Sequence, residues 1–178
     1  MWCTYYVGTA YCTGRGEIIE PLPALPEWQN TIVHVFKPIE GLSTALVCKT
    51  LQLDSCSPVV PDSLLDCFVT KGALQSATDG RLVNDLEKPA FTCNPYLESL
   101  KNDITKELNN IAVGVMMSGS GTSIYALVAK EQSNNDDVSK KDKLSEEAIN
   151  NILQKYPTVK HFKCDFMNKS DDLKCWYE

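Results

Sequence analysis

A chain of 178 residues in which 43% are hydrophobic and 22% are charged has the composition of an ordinary globular protein with one substantial core. Its net charge of −6, without a long basic block, argues against nucleic acid and anionic membranes as partners. No apolar stretch approaches the roughly 18 residues that a membrane-spanning helix needs.

The cysteines do not form the clusters that metal sites require. There are eight of them, but none belongs to a C-x-x-C pair, and only two histidines, His34 and His161, are available as further ligands. We therefore predict no metal site. We interpret the cysteines as reduced, mostly buried thiols of a protein in a reducing compartment.

The first thirty residues do not resemble the usual start of a protein. They lack the basic and apolar regions of a signal peptide and the composition of a transit peptide. Residues 5–19 predict two strand-like pieces around a Gly-Arg-Gly turn. The three prolines Pro21, Pro23 and Pro26 follow, and they are typical of a connector between domains because each fixes φ and removes a donor.

Residues 31–36 are rich in β-branched and aromatic side chains and predict a strand, with His34 packed in the core. After this strand, Ser43 or Thr44 is suited to cap a helix. The apolar residues of that helix are Leu46, Val47, Leu51 and Leu53. A helix N-terminus with free N–H groups and a hydroxyl favours anions, although an ordinary N-cap is the commoner interpretation.

The middle of the chain is polar at first and then becomes helical. Residues 54–81 contain a short helical pattern, and residues 84–87 (Asn-Asp-Leu-Glu) indicate by themselves a solvated helix start. Asn94 and Pro95 begin a second helix that runs to about residue 109. Its apolar face is formed by Leu97, Leu100, Ile104 and Leu108.

Residues 112–129 (AVGVMMSGSGTSIYALVA) predict two buried strands joined by a Gly/Ser turn. Glycines at positive φ leave backbone N–H groups open, and serine hydroxyls add donors suited to phosphate oxygens. A turn of this kind is most often only a turn, and the usual dinucleotide and Gly-Lys-Ser/Thr phosphate motifs are absent.

The last fifty residues predict a loop, a helix and a strand. Residues 130–143 have low hydrophobicity and are typical of a flexible loop. Ser145 is the expected cap of the helix that follows, and residues 158–166 alternate as in a strand.

Three strings together resemble the GHMP kinases, a superfamily of small-molecule kinases, and within it the kinases of the non-mevalonate isoprenoid pathway. They are MSGSGTSIYAL at 117–127, GLSTA at 41–45 and NDLE at 84–87. The resemblance implies an α+β fold, a ferredoxin-like split βαβ sheet with helices on one face, over residues 31–178. Residues 1–30 would then be a remnant of the N-terminal kinase domain and a linker.

The resemblance also implies the chemistry. The expected reaction is transfer of the γ-phosphoryl group of ATP, accompanied by Mg²⁺, to the 2-hydroxyl of 4-diphosphocytidyl-2-C-methyl-D-erythritol. The site residues that it implies are Thr44 and Ser43 for the substrate, the loop of Ser118, Gly119, Ser120, Gly121 and Thr122 for the nucleotide and diphosphate region, and the family motif Asn84, Asp85 and Glu87. The end of the chain resembles plant-type members, which implies a plastid location with the transit peptide outside this chain.

Three catalytic parts of these kinases have no counterpart in the sequence: a GLGGGSS-like phosphate loop, a lysine near the amino end and an aspartate. No catalytic residue is therefore assigned, and we interpret the chain as the C-terminal part of such a kinase, without its N-terminal domain and inactive alone. Two alternatives stay open. The chain would belong to another GHMP kinase of homoserine or mevalonate type, or it would be a noncatalytic ferredoxin-like binding module.

Overall fold

The computed structural model describes residues 9–23, 25–26, 28–130 and 135–166, and six strands and five helices lie within them. The strands are β1 (Thr9–Thr13), β2 (Ile18–Leu22), β3 (Thr31–Lys37), β4 (Ala112–Met117), β5 (Ile124–Ala129) and β6 (Lys160–Asp165). The helices are α1 (Thr44–Thr50), α2 (Pro61–Thr78), α3 (Glu87–Cys93), α4 (Pro95–Glu107) and α5 (Asn135–Lys155). The plant-like ending of the sequence, residues 167–178, lies outside the described residues.

Strands β3 to β6 form one antiparallel sheet in the order β4-β5-β3-β6. The first strand of this set, β3, lies in the middle, where Val33 pairs with Leu127 of β5 on one side and with Cys164 of β6 on the other. With the helices that connect β3 to β4 and β5 to β6, this is the split βαβ arrangement. The predicted α+β, ferredoxin-like fold is confirmed.

The main core lies on the sheet face that carries Phe36 and Ile124, both of which are fully buried. Helices α4 and α5 cover this face. The predicted apolar face of α4 is confirmed, since Leu97, Leu100 and Ile104 have no exposed surface and Leu108 has almost none. Asn94 caps α4 as expected, because its side chain accepts a hydrogen bond from the N–H of Tyr96.

Helix α2 lies over the opposite face of the sheet, where it contacts β4 and β5. The expected placement of helices on one face therefore holds for α4 and α5 but not for α2. Its C-terminal part packs closely, because a Cβ at Gly114 of β4 would come within 2.5 Å of Leu82, the residue that follows this helix by four positions. Gly72 breaks α2 at φ 79° and ψ 175°. A Cβ at this glycine would lie 2.3 Å from the carbonyl oxygen of Pro26, so only glycine fits here.

The helix predicted to begin at Ser145 begins ten residues earlier, at Asn135. Residues 135–143 were predicted to be a loop, and this prediction was wrong; residues 131–134 lie outside the described part of the chain. Lys has a favourable helix propensity, and Asn, Asp and Ser are only mildly unfavourable in a helix, so this run can extend the helix that carries the buried Ile149 and Ile152. Ser145 is therefore a buried residue inside α5 and does not cap it.

Two further predictions were wrong. Leu51 and Leu53 were expected to lie in the helix after Ser43, but α1 ends at Thr50, with Val47 as its one buried residue and Leu46 48% exposed. A helix that buries a single position gains little from packing, which favours an early end. The cysteines were expected to be mostly buried, but of the six in the described residues, all of which are free thiols, only Cys67 is buried.

His34 is a core histidine, as predicted, with 3% of its surface exposed. Its Nδ1 lies 2.9 Å from Nε2 of His161 on the neighbouring strand β6. Strands β1 and β2 form a separate two-stranded sheet. Among the described residues no helix is both long and apolar enough to cross a membrane.

Candidate functional site

The Gly/Ser loop, residues 118–122, joins β4 to β5. It is closed by a bond from the N–H of Ser118 to the carbonyl of Ser123, at 2.8 Å, and by one from the N–H of Gly121 back to the carbonyl of Ser118, at 3.1 Å. Gly119 and Gly121 have φ of 56° and 97°. The left-handed backbone expected of both glycines is present, and a Cβ at Gly119 would meet no atom within 4 Å. The outer side of the loop is thus open to a ligand.

The N-terminus of α1 lies against this loop. The Oγ1 of Thr44 and the Oγ of Ser120 are 2.8 Å apart, so the structure brings together the two segments that the sequence singled out separately. Ser43 is the N-cap, since its hydroxyl accepts a hydrogen bond from the N–H of Leu46 at 3.4 Å. Thr44 and Ser43 are both exposed, so both hydroxyl groups are accessible to a ligand.

A lysine that sequence reasoning missed also reaches the loop. The ammonium group of Lys37, at the end of β3, donates to Oγ1 of Thr122 at 2.8 Å. Thr122 is 1% exposed and donates in turn to the carbonyl of Glu40 at 3.0 Å. The sequence offered one signal for Lys37, its position at the end of the strand that leads into the GLSTA string. A cation bonded to this loop favours anionic ligands there.

Asn84 holds the Gly/Ser loop in place. Its side-chain amide donates to the carbonyls of Met117 and Gly119, both at 2.8 Å, and its side-chain oxygen accepts from the N–H of Leu86 at 3.0 Å. This side chain satisfies two carbonyls that a turn leaves without partners in the sheet. The helix start that residues 84–87 indicated is present, because α3 begins at Glu87 with Leu86 as its N-cap. It is not a solvated cap, because Asn84 bonds to the loop.

Glu87 supports the loop from the strand side. Its carboxylate accepts from the N–H of Met117 at 2.7 Å and pairs with the ammonium group of Lys101 on α4 at 2.5 Å. Asp85, the third residue of the motif, does not reach the loop; it accepts from the N–H of Ser57 at 2.8 Å. Two of the three motif residues therefore act on the loop and one stabilises the chain before α2.

The negative charge of Glu87 affects the pKa of Tyr125 on β5. Burial, and then this carboxylate, raise the pKa of the Tyr125 phenol to about 12. The phenol therefore keeps its proton at neutral pH. No cluster of three or more metal-binding side chains occurs within the described ranges. The site thus offers hydroxyls, a loop that is open at Gly119 and one lysine, which together suit an anion such as a phosphate group.

Comparison with known proteins places this loop and its supports in a family. Residues 69–157 match the family described as GHMP kinases C terminal, which is half of the chain. The chain is 42% identical over 120 residues to the chloroplastic 4-diphosphocytidyl-2-C-methyl-D-erythritol kinase of Arabidopsis thaliana, covering 67% of this chain and 30% of that protein. It is 32% identical over 119 residues to the kinase of the same name from Clostridium kluyveri, covering 67% and 40%.

The chain therefore spans well under half the length of the curated relatives it matches. Two solved structures share the fold. A 4-(cytidine 5'-diphospho)-2C-methyl-D-erythritol kinase matches with a TM-score of 0.58 at 22% identity, over 89% of this chain and 50% of that one. The homoserine kinase from Cytophaga hutchinsonii matches with a TM-score of 0.51 at 14% identity, over 83% and 45%. The family match and the shared fold together show that this chain belongs to the GHMP kinases, whose C-terminal domain it carries.

Proposed function

We propose that this chain is the C-terminal part of a kinase that transfers the γ-phosphoryl group of ATP to the 2-hydroxyl of 4-diphosphocytidyl-2-C-methyl-D-erythritol, in isoprenoid biosynthesis. The observation that carries the proposal is the 2.8 Å contact between Thr44 and Ser120, which joins the expected substrate segment to the expected phosphate loop. The 42% identity to the Arabidopsis relative supports this choice of substrate.

The residues of this chain would act by binding and orientation. Thr44 and Ser43 offer hydroxyls to the substrate, while Gly119 and Ser120 offer backbone and side-chain donors to phosphate oxygens. Lys37 would balance the negative charge of the phosphates. Phosphoryl transfer depends on this kind of positioning and charge neutralisation more than on covalent help from the protein.

ATP and Mg²⁺ are the expected cofactors. The open left-handed backbone at Gly119 and the ammonium group of Lys37 fit the phosphates of ATP, which would supply the transferred group. The described residues provide no metal cluster of their own. Mg²⁺ would therefore enter on the ATP phosphates, as is usual for this ion.

A plastid location and an absent N-terminal partner complete the proposal. The relatives from Arabidopsis thaliana and Solanum lycopersicum are named chloroplastic and chloroplastic/chromoplastic. The remaining parts of the kinase, with the catalytic lysine, aspartate and phosphate loop, would come from an N-terminal domain that packs on residues 31–178, with residues 1–30 as its remnant and linker.

A chimera tests this function. The C-terminal part of the Arabidopsis relative is replaced by this chain, and ADP release is followed with ATP, Mg²⁺ and the diphosphocytidyl substrate. We expect turnover, and we expect Thr44→Val to lower kcat/KM by roughly 5- to 30-fold, because one hydrogen bond is worth about 1–2 kcal/mol. Thr50→Val is the matched control, since the Thr50 hydroxyl bonds the carbonyl of Leu46 in the same helix.

Equal kcat/KM for the Thr44→Val and Thr50→Val chimeras would leave Thr44 as part of a helix start only. A folded but inactive chimera would favour the alternative of a noncatalytic binding module. One observation favours that module: within the described chain, no carboxylate or imidazole bonds to Thr44 or Ser120. Turnover of homoserine or mevalonate instead would identify another member of the superfamily.

A further inference from the structure

A cavity of about 560 Å³ lies between α2 and the sheet face opposite the main core. Val33, Val35 and Leu127 line it from the sheet, and Leu64 and Phe68 line it from α2. Pockets that hold small ligands have volumes of about 300–1,000 Å³ and are lined mainly by apolar side chains. In size and lining this cavity is of that kind.

The cavity is held open by the geometry of α2. After the break at Gly72, the helix and the residues that follow it pack against the sheet. A Cβ at Gly114 would lie 3.2 Å from Ala77 of the helix and 2.5 Å from Leu82, which follows the helix. Leu64 and Phe68 lie before the break, where the cavity separates them from the sheet. The cavity is partly open to solvent, and an occupant that binds only the folded chain would stabilise the domain.

The polar groups at the cavity indicate what the occupant carries. Arg81 lines it and is exposed, and within the described residues it makes no ion pair. The neighbouring Asp79 is already engaged by Lys71 at 2.7 Å and by Gln75 at 2.8 Å. The charge of Asp79 acts on Arg81 from a distance, but no carboxylate lies within ion-pair distance of the guanidinium among the described residues. A guanidinium in this position at an otherwise apolar cavity favours a ligand with an anionic group.

We propose that this cavity binds a small amphipathic anion, with an aliphatic body between α2 and the sheet and its carboxylate or phosphate group at Arg81. The site is distinct from the Gly/Ser loop but touches it, because Ser118 and Ser123 line the cavity and also close the loop through their 2.8 Å backbone bond. A bound amphiphile therefore contacts the base of the loop, and its binding is energetically coupled to the shape of the loop.

The test uses the whole chain and calorimetric titration with decanoate, decyl phosphate and decanol. We expect saturable binding of one molecule per chain, with at least one of the two anions binding about tenfold more tightly than decanol. Arg81→Gln should remove this preference and leave decanol binding unchanged. The control is Lys71→Gln, which removes a nearby cation that does not line the cavity. The two anions distinguish a carboxylate site from a phosphate site.

A second pair of variants tests the location. Leu64→Trp fills the cavity from α2 and should weaken all three ligands at least tenfold, whereas Leu46→Trp on the exposed side of α1 should not. If Leu64→Trp fails to fold by circular dichroism, Val33→Phe fills the same space from the sheet. Unsaturable binding, binding that survives the filling variants, or displacement by the diphosphocytidyl substrate would each overturn the proposal.

Discussion

The backbone conformation of Gly119 and Gly121 determines how much stability a substitution at each glycine removes. The φ of 56° at Gly119 lies in the left-handed region that other residues enter at about 1–2 kcal/mol. The φ of 97° at Gly121 lies in the same positive region but further from the αL value of about 57°, and a Cβ there would be 3.0 Å from the sulfur of Met117. We therefore expect Gly121→Ala to lower the free energy of unfolding by roughly 1–3 kcal/mol, and Gly119→Ala by less.

Urea unfolding of the purified variants measures both effects. Gly41→Ala is the control, because the space around Gly41 is open and its backbone is not left-handed. Losses of equal size at all three glycines would contradict the argument from φ. In the chimera, Gly119→Ala should reduce activity more than stability, since the added methyl group would project into the open space where a ligand is expected.

His161 makes the stability of the domain depend on pH. Burial, and then the charge of Lys163, lower the pKa of His161 below its ordinary 6.5. The unfolded chain therefore takes up this proton more readily than the folded chain, so the contribution of His161 is complete above about pH 6.5 and is lost as the pH falls toward the folded pKa. His34 and Glu146 face the same cavity as His161.

We expect a lower Tm near pH 5.5 than near pH 7.5, and a weaker dependence in the His161→Gln variant. Carboxylates with lowered pKa, such as Asp103, stay ionised across this range and add no slope. Thermal unfolding followed by circular dichroism at both pH values gives the two slopes. The same slope in the variant as in the parent chain would show that another group, such as His34, carries the dependence.

Among the elements, α3 contributes most to the site although it is only seven residues long. The segment leading into it places Asn84 against two carbonyls of the loop. Asn84→Ala should lower the free energy of unfolding by about 1–3 kcal/mol, since buried or half-buried carbonyls are left without their donor. Asp85→Ala is the control because Asp85 bonds to Ser57, away from the loop.

Hydrogen exchange of the loop amides separates the two variants. The N–H groups of Ser118 and Gly121 should exchange faster in Asn84→Ala and at the original rate in Asp85→Ala, while the helix amides of α4 serve as an internal reference. Unchanged exchange in both variants would mean that the loop keeps its shape through its own two backbone bonds.

The elements that the sequence predicted are those whose signals are local. The apolar spacing of α4 with its Asn94 cap, and the two apolar runs around the Gly/Ser turn, depend on neighbours a few residues apart. The early start of α5 was missed because a polar run without apolar spacing is compatible with either a helix or a loop by composition. The break at Gly72 was missed because it depends on contact with Pro26, far along the chain.

The candidate site could be located from the sequence only in part. Thr44 and the Gly/Ser loop were singled out by their residue types, which by themselves favoured an ordinary N-cap and an ordinary turn, and their assignment to substrate and phosphates came from the resemblance. The structure brings Thr44 beside Ser120 and shows positive φ at both loop glycines, while the roles of these residues stay predictions. The supports were not visible. Lys37 and Asn84 reach the loop only after the sheet has brought segments 85 and 33 residues apart together, and a single sequence carries no signal for such contacts.

At the scale of the whole molecule, we expect the chain alone to fold at least in part but to phosphorylate nothing. The four-stranded sheet has its core filled from α4 and α5, which favours folding. The separate β1–β2 hairpin should unfold first, since an isolated two-stranded sheet is marginal in water. Catalysis should be undetectable, because each missing preorganised group typically costs about 2.7–4 kcal/mol.

Purified chain is incubated with ATP, Mg²⁺ and the diphosphocytidyl substrate, and ADP release is compared with that of the chimera. A host-cell extract carried through the same purification gives the background. Turnover by this chain above that background would contradict the interpretation that the catalytic groups lie outside it. Asp85, Glu87 and Asp54 would then be tested as general bases.

The two bonds from Asn84 have a consequence for how the site comes into existence. They join residues 33 and 35 positions apart, so a chain that has formed only its β4–β5 hairpin carries the turn without its support. Closing such a distance costs entropy that only the packed domain repays. Phosphate affinity should therefore be a property of the completed fold, and a nucleotide that binds here would draw the folding equilibrium toward the native state, because no partly folded form competes for it.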